Sequence, residues 1–141
     1  MALVINPKFK NASIWDYVMA GGFNIFRKVG ASGIKAIRDI EEQSLEYLNE
    51  KHPDAWLIGL IIVDPNHKGT GLGSQMLNDC VIPFVHENGG TQIVLNTNSE
   101  ANRAFYQKNG FEEIDQHEIS IGTRTITNWS YVMELDNEQK N

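Results

Sequence analysis

Cysteine is almost missing from this chain of 141 residues, where Cys80 stands alone. An internal disulfide is thereby excluded, and a reducing compartment is expected. No apolar run approaches the ~18–20 residues that cross a bilayer. Met1 to Ile5 is too short for a signal-peptide core before Lys8. A cytoplasmic location is therefore expected, with no membrane partner. Basic residues are outnumbered 12 to 18, for a net charge of −6. Such a surface repels phosphate backbones and anionic lipid, which argues against nucleic acid, whereas cationic amines are compatible with it. His67, His86 and His117 lack metal-ligand spacing, so no metal is expected. There is no internal repeat, low-complexity tract or linker, and the length suits one domain burying about two-thirds of its unfolded surface.

What the chain does have is Val63-Asp-Pro-Asn-His-Lys-Gly-Thr-Gly-Leu-Gly-Ser74, after an unbroken apolar run and before an amphipathic helix. Gly69, Gly71 and Gly73 let backbone N–H groups turn inward together and let a ligand approach the main chain closely. The following helix adds unpaired N–H donors and the positive end of its dipole. This is an anion site suited to a pyrophosphate. A dinucleotide loop needs Gly-x-Gly-x-x-Gly, yet from Gly69 the third position is Ser74, and from Gly71 it is Met76. A nucleoside triphosphate loop needs a lysine after the glycines, and none follows. A plain turn before a helix is the competing reading of the three glycines.

Lys68-x-x-Gly71-x-Gly73, behind Val63-x-Pro65, resembles the acetyl-CoA loop of the GNAT superfamily of N-acetyltransferases, whose pattern is Gln/Arg-x-x-Gly-x-Gly/Ala. A second block, Leu95-Asn-Thr-Asn-Ser-Glu-Ala-Asn102 through Tyr106 to Gly110-Phe111, is similar to that superfamily's next one. There a strand leads to a helix carrying an Asn, a Tyr and then Gly-Phe. The likeness runs from Trp56 to Met133.

Coarse periodicity gives a strand at Ala2 to Ile5 and a helix start at Ser13 to Asp16, broken at Gly21-Gly22. A short helical piece spans Phe23 to Val29, and a longer helix runs from Ser32 to His52-Pro53. Its carboxylates, Asp39, Glu42, Glu46 and Glu50, form a solvated face. Trp56 to Val63 reads as a strand buried on both faces. The helix behind the glycines should bury Leu72, Met76, Leu77, Cys80, Val81, Phe84 and Val85, kink at Pro83 and stop at Gly89-Gly90. Gln92 to Thr97 is a strand. A helix capped by Asn98 or Ser99 follows, burying Ala101, Ala104 and Phe105. A hairpin around Gly122-Thr123 joins Glu112–Ile121 to Arg124–Leu135, and Asp136 to Asn141 should fray.

The resemblance implies an α/β (α+β) fold: a central mixed sheet with helices on both faces, splayed parallel central strands and a C-terminal β-hairpin. It divides one domain, 1–141, into a partial N-terminal part at 1–55, an acetyl-CoA core at 56–111 and the hairpin at 112–135. It further implies acetyl transfer from acetyl-CoA to a primary amine by direct attack in a ternary complex. The acceptor would be a small molecule or a protein amine. Pantetheine would pair with the backbone near Leu60 to Val63, and an N–H of Ile61 or Ile62 would face the thioester oxygen. Lys68, Gly69, Thr70, Gly71, Leu72, Gly73 and Ser74 would hold pyrophosphate, with Asn102 as a further cofactor contact. Tyr106 would protonate the departing thiolate; its competing reading is a half-buried aromatic beside Phe105.

The family's usual base, a Glu on the strand matching Trp56 to Val63, is missing, and Asp54, Asp64, Glu100 and His52 only flank the site. A water chain or an amine delivered neutral would replace it. Lys10 to Glu50 reads as helical, where the family has strands. On this alignment with the family the chain is expected to begin partway through the fold, without the first strand and the helices that usually wall the amine pocket. Trp15, Tyr17, Phe23 and Phe26 either line what remains of that pocket or pack as helix core. A shortened gene product, a minimal natural variant and completion by a second subunit, as in a homodimer, are the competing explanations. The alternative function is a non-catalytic acyl-CoA-binding or sensing module.

Overall fold

The computed structural model describes residues 1–9 and 23–135. Among them, five strands form one mixed sheet in the order β1-β2-β3-β5-β4. These are β1 (Ala2–Ile5), β2 (Trp56–Ile61), β3 (Gln92–Thr97), β4 (Glu112–Ile121) and β5 (Arg124–Glu134). Helix α1 (Phe23–Lys51) covers one face. The other face carries α2 (Leu72–Met76), a π-helical turn (Leu77–Val81), α3 (Ile82–Glu87) and α4 (Glu100–Lys108). The mixed sheet, helices on both faces and C-terminal hairpin follow the expected architecture.

The parallel pair β2–β3 is joined only at Trp56↔Ile93 and Leu57↔Val94. Beyond those two registers the strands part, and the gap opens at their C-terminal ends. On the antiparallel side, β1 pairs with β2 from Ala2↔Ile61 to Ile5↔Leu57, with a bulge that leaves Gly59 unmatched. The bulge shifts the inside–outside parity by one residue. Trp56 and Ile58 face the α4 side, and after the bulge Ile61 does too. Leu60 and Ile62 are thereby turned to the α1 side, where they are 40% and 48% exposed. Burial on both faces therefore holds for Trp56 to Ile58 and fails from Gly59 onward, contrary to the uniform apolar run.

Two cores flank the sheet. Leu77, Val85, Ile93, Leu95 and Tyr131 are fully buried on the α4 side. Each such apolar side chain contributes about 1.5–3 kcal/mol on burial. Leu48, Ala55, Leu57, Val94 and Val132 fill the α1 side. Gln43 on α1 holds the β4 edge as another strand would: its Oε1 accepts from the Ser120 N–H at 3.2 Å, and its Nε2 donates to the Ser120 carbonyl at 3.4 Å.

Helix α1 is two helices meeting at Gly30, which has φ 72 and ψ 171. This agrees with separate pieces before and after that point. The expected helix start at Ser13 to Asp16, the residues Trp15 and Tyr17, and the tail from Asp136 lie outside the described residues, as do the side chains of Phe23 and Phe26.

Pro83 does not simply bend its helix. A π turn precedes it, closed by the Ile82 N–H donating to the Leu77 carbonyl. The wider turn accommodates the missing N–H and the ring. It also narrows the buried stripe to Leu77, Val81 and Val85. Cys80 and Phe84, expected inside, are rotated to solvent, and Phe84 sets its ring edge against Trp56 at 5.9 Å. Leu72 is exposed at the mouth of the glycine loop. Ala101 and Ala104 are likewise exposed, because α4 turns Phe105 and Tyr106 to the core instead.

Both glycine-terminated helices close in the same way. Gly110, at φ 88, donates to Gln107, and Phe111 donates back to Tyr106 at 3.1 Å. The buried Phe111 ring then packs against Tyr106.

Candidate active site at the splayed strands

The site grows from the end of β2. Asp64 stops the strand and folds back, its Oδ1 accepting from the Asn66 N–H at 2.8 Å, and Pro65–His67 makes one tight turn. Asp64 is thus a turn residue. Thr70 locks the next stretch by donating its hydroxyl to the His67 carbonyl at 2.7 Å. Gly69 and Gly71 then take φ 81 and 84, the left-handed region that side chains resist. A Cβ at either would meet nothing within 4 Å, so the loop is shaped by backbone conformation and faces open space.

Gln75 is the first helical donor satisfied, bonding to the Gly71 carbonyl at 2.9 Å. Among the described residues, the N–H groups of Gly69, Gly71, Leu72, Gly73 and Ser74 have no acceptor. Lys68 stands exposed at the start of this loop. The cradle of outward N–H donors with a cation beside it fits a diphosphate.

Gly73 has a different reason. A Cβ there would lie 3.2 Å from two atoms of the Phe105 ring and 3.5 Å from Val63. This close approach brings α4 against the loop and the end of β2. On α4, Asn102 is exposed and donates its side-chain amide to Thr97 Oγ1 at 3.2 Å, which anchors it to the end of β3. Tyr106 is 8% exposed, in edge contact with Phe105 and Phe111 and near Tyr131. Its hydroxyl has no hydrogen-bond partner among the described residues yet is not sealed from solvent. Burial pushes the Tyr106 phenol above its ordinary value.

The two backbone amides proposed for the thioester oxygen separate clearly. Ile62 donates its N–H to the Met1 carbonyl at 2.8 Å and accepts from the Met1 amino group at 2.8 Å. Both of its main-chain groups are spent toward β1, which removes Ile62 from that role. Hydrogen-bonding direction alternates along an antiparallel pair. Ile61 therefore points its N–H and C=O the other way, into the gap left by β3. Val63 is half-buried against Gly73.

None of the flanking base candidates is placed in the gap. Glu100 pairs with Arg103 at 2.8 Å, and His52 faces Gln92 at the opposite end of β3. Asp54 precedes the N-terminal end of β2.

Asn96 and Asn128, which the sequence did not single out, form a polar cluster on the α1 side of the sheet with Asn98, expected only as a helix cap; the cap position falls at Ser99 instead, without a side-chain bond. The spacing Asn96-x-Asn98 at the end of a strand, putting two amides on one face, was the available signal.

Arg103 fastens α4 to the hairpin. It donates to Glu113 at 3.0 Å and to the Tyr131 hydroxyl at 3.4 Å, and lies 4.6 Å from the Trp129 ring. The Tyr131 hydroxyl and two carboxylates raise its pKa further. Burial and the Glu113 carboxylate push the Tyr131 phenol up as well.

Among the described residues no helix is long and apolar enough to cross a membrane. The Drosophila melanogaster polyamine N-acetyltransferase, which forms N-acetylagmatine, superposes with a TM-score of 0.61 at 14% identity, over 96% of this chain and 68% of its own. The ribosomal-protein-S18-alanine N-acetyltransferase of Escherichia coli gives 0.51 at 20% identity, over 62% and 58%. A GNAT acetyltransferase from Elizabethkingia anophelis, solved with acetyl-CoA bound, shares 26% identity over 57% and 61% at a TM-score of 0.48. In three other comparisons, this chain spans 52%, 65% and 48% of the matched structure's length. The model of the acetyltransferase (GNAT) domain matches residues 27–113, more than half of the sequence. This chain belongs to the GNAT acetyltransferase family.

Proposed function

We propose that this chain transfers an acetyl group from acetyl-CoA to a primary amine, as one domain spanning 1–141. The observation that carries the reading is the glycine cradle. Its unpartnered N–H donors and two open left-handed glycines stand where β2 leaves β3. Lys68, Gly69, Thr70, Gly71, Leu72, Gly73 and Ser74 would hold the pyrophosphate. The free edge of β2 at Ile61 would pair with the pantetheine amides. Acetyl-CoA supplies an activated acyl carbon on a good leaving group.

The chain's own residues would do the rest. The Ile61 N–H, aimed into the gap, would take the negative charge that develops on the thioester oxygen. One such donor is worth about 3 kcal/mol of barrier. The amine nitrogen forms the new C–N bond as the C–S bond breaks. Tyr106, kept protonated by burial, would hand its proton to the sulfur and recover one from the amide nitrogen through water. Asn102, moored to Thr97, would contact the cofactor beside it. Among the described residues, Asp64 is tied into its turn and Glu100 to Arg103, and Asp54 stands at the other end of β2, so the amine would enter as the neutral base. Their placement also favours a second reading, a non-catalytic acyl-CoA-binding module.

Calorimetric titration with acetyl-CoA, followed by thiol release across primary amines, tests both. Binding with amine-dependent thiol release supports transfer. Binding without release supports the module, and no binding refutes the cradle.

A further inference from the structure

The seat of helix α4 decides where the Tyr106 phenol stands. Successive residues lie about 100° apart around a helix, so Arg103 and Phe105 fall on nearly opposite flanks, with Tyr106 between them. On one flank Phe105 wedges against Gly73 of the glycine loop. On the other, Arg103 ties the helix to the hairpin. The start of α4 adds little of its own, since Ser99 makes no side-chain cap and Asn102 reaches Thr97 at 3.2 Å.

The tie needs a rigid end, and its carboxylates do not supply one. Arg103 donates to Glu100 at 2.8 Å and to Glu113 at 3.0 Å, with those acidic side chains 74% and 25% exposed. Ion pairs of this kind, on long side chains open to water, hold their geometry loosely. Tyr131 is different, because its ring is fully buried in the core. Its hydroxyl donates to Glu113 Oε2 at 2.8 Å and accepts from Arg103 Nε at 3.4 Å. Burial and the Glu113 carboxylate push that phenol above its ordinary value, so the hydroxyl keeps its proton at neutral pH. The same ring stands 6.0 Å from the Tyr106 ring, tilted by 39°. A phenylalanine would fill the space of the ring. Only the hydroxyl joins β4, β5 and α4 at one point.

We propose that Tyr131 is a positioning residue for Tyr106: its hydroxyl, shared by Glu113 and Arg103, fixes the rotation of α4 and with it the place of the Tyr106 phenol. This deepens, and rests on, the acetyl-transfer reading with Tyr106 as acid. A turn of α4 by about 10° carries an atom ~6 Å from its axis by about 1 Å. A misplacement of about 1 Å can cost a reacting group about 100-fold in rate. The N–H donors of the glycine loop belong to another element, so cofactor affinity should be spared.

The test is a cycle of whole-chain variants: Tyr106→Phe, Tyr131→Phe and the two together. Thiol release is followed with acetyl-CoA and whichever of phenethylamine, 1,4-diaminobutane and an alanyl peptide the wild type turns over fastest. Tyr131→Phe should lower kcat by about 10–100-fold and leave acetyl-CoA affinity in place. Once residue 106 is already phenylalanine, it should lower kcat no further. A merely structural role would lower kcat by the same factor in both backgrounds, and that result overturns the proposal, as does an unchanged kcat in Tyr131→Phe. Glu113→Ala, at an exposed position, frees the same hydroxyl and serves where Tyr131→Phe fails to fold. It should lower kcat by about tenfold, and Glu113→Gln, which keeps an acceptor, should restore most of the rate. Equal rates in Glu113→Ala and the wild type overturn the proposal. Failure of the underlying reading looks different: the wild type releases no thiol with any amine, or Tyr106→Phe alone leaves kcat unchanged. Either result removes that reading and the proposal together.

Discussion

Gly71→Ala separates what the glycine loop does for the fold from what it does for a ligand. Gly71 sits at φ 84 with no atom within 4 Å of an added Cβ, so the methyl clashes with nothing. Its cost to stability is that of a left-handed alanine, about 1–2 kcal/mol, which lowers the melting temperature by about 3–8 °C for a chain of this size. Yet that methyl projects into the space where the N–H cradle would meet a diphosphate. Losing one charge-assisted contact there costs about 1.5–3 kcal/mol, which weakens acetyl-CoA binding by about 10–100-fold. Gly90→Ala is the matching control. Its Cβ would stand 2.3 Å from Val85 Cγ1 and 2.7 Å from the Trp56 ring. Such overpacking costs about 1–3 kcal/mol or more at a point remote from the loop. The assay is calorimetric titration with acetyl-CoA beside thermal unfolding of both variants. Gly71→Ala should lose affinity alongside its modest loss of stability, and Gly90→Ala should lose at least as much stability with its affinity intact. Unchanged affinity in Gly71→Ala, or an equal loss in both, would refute the cradle.

Tyr106→Phe should lower kcat by about 10²–10³-fold with acetyl-CoA affinity intact; because the hydroxyl has no partner among the described residues, melting should barely move, and an unchanged kcat would remove the acid role. Both Tyr106 and Tyr131 lie above the ordinary phenol value of 10.0, so the native state holds more protons than the unfolded chain once pH passes about 10, and stability falls from there upward. Urea midpoints at pH 8, 9.5 and 11 check this, with a flat profile as the contrary result. Cys80→Ser should change stability by less than about 0.5 kcal/mol, since the thiol is exposed. Leu77→Ala, at a fully buried position of the same helix, should cost about 2–5 kcal/mol, and equal costs in urea titration would show the π turn to be misplaced.

Element positions were legible where a local rule was decisive. Gly110-Phe111 and Gly122-Thr123 mark their helix end and hairpin turn because only glycine takes those left-handed angles cheaply. Gln92 to Thr97 is a strand from its apolar run and flanks. Burial was less legible, because a period of 3.6 assumes an undisturbed helix. The π turn at Leu77–Val81 adds a residue per turn and carries Cys80 and Phe84 out. A bulge at Gly59 likewise reverses the parity that would have put Leu60 inside. In the candidate site, the glycine loop could be read from spacing, whereas the choice between Ile61 and Ile62 could not. That choice depends on which edge of β2 is already occupied by Met1, a contact between residues far apart in sequence. The Asn96, Asn98 and Asn128 cluster was hidden for the same reason.

The narrow seam between β2 and β3 has a mechanical side. Two residue pairs join a two-stranded ribbon, β1–β2, to a three-stranded one, β3–β5–β4. Continuity of the sheet there depends on the helices laid across it more than on its own ladder. Thermal breathing should concentrate along that line, and backbone amides at the far end of β2 should exchange with deuterium well before those of β5. Anything long and amide-bearing that lies in the cleft and pairs with β2 would act as a rivet between the ribbons. Exchange slowed along the seam, and hardly elsewhere, would be the trace it leaves.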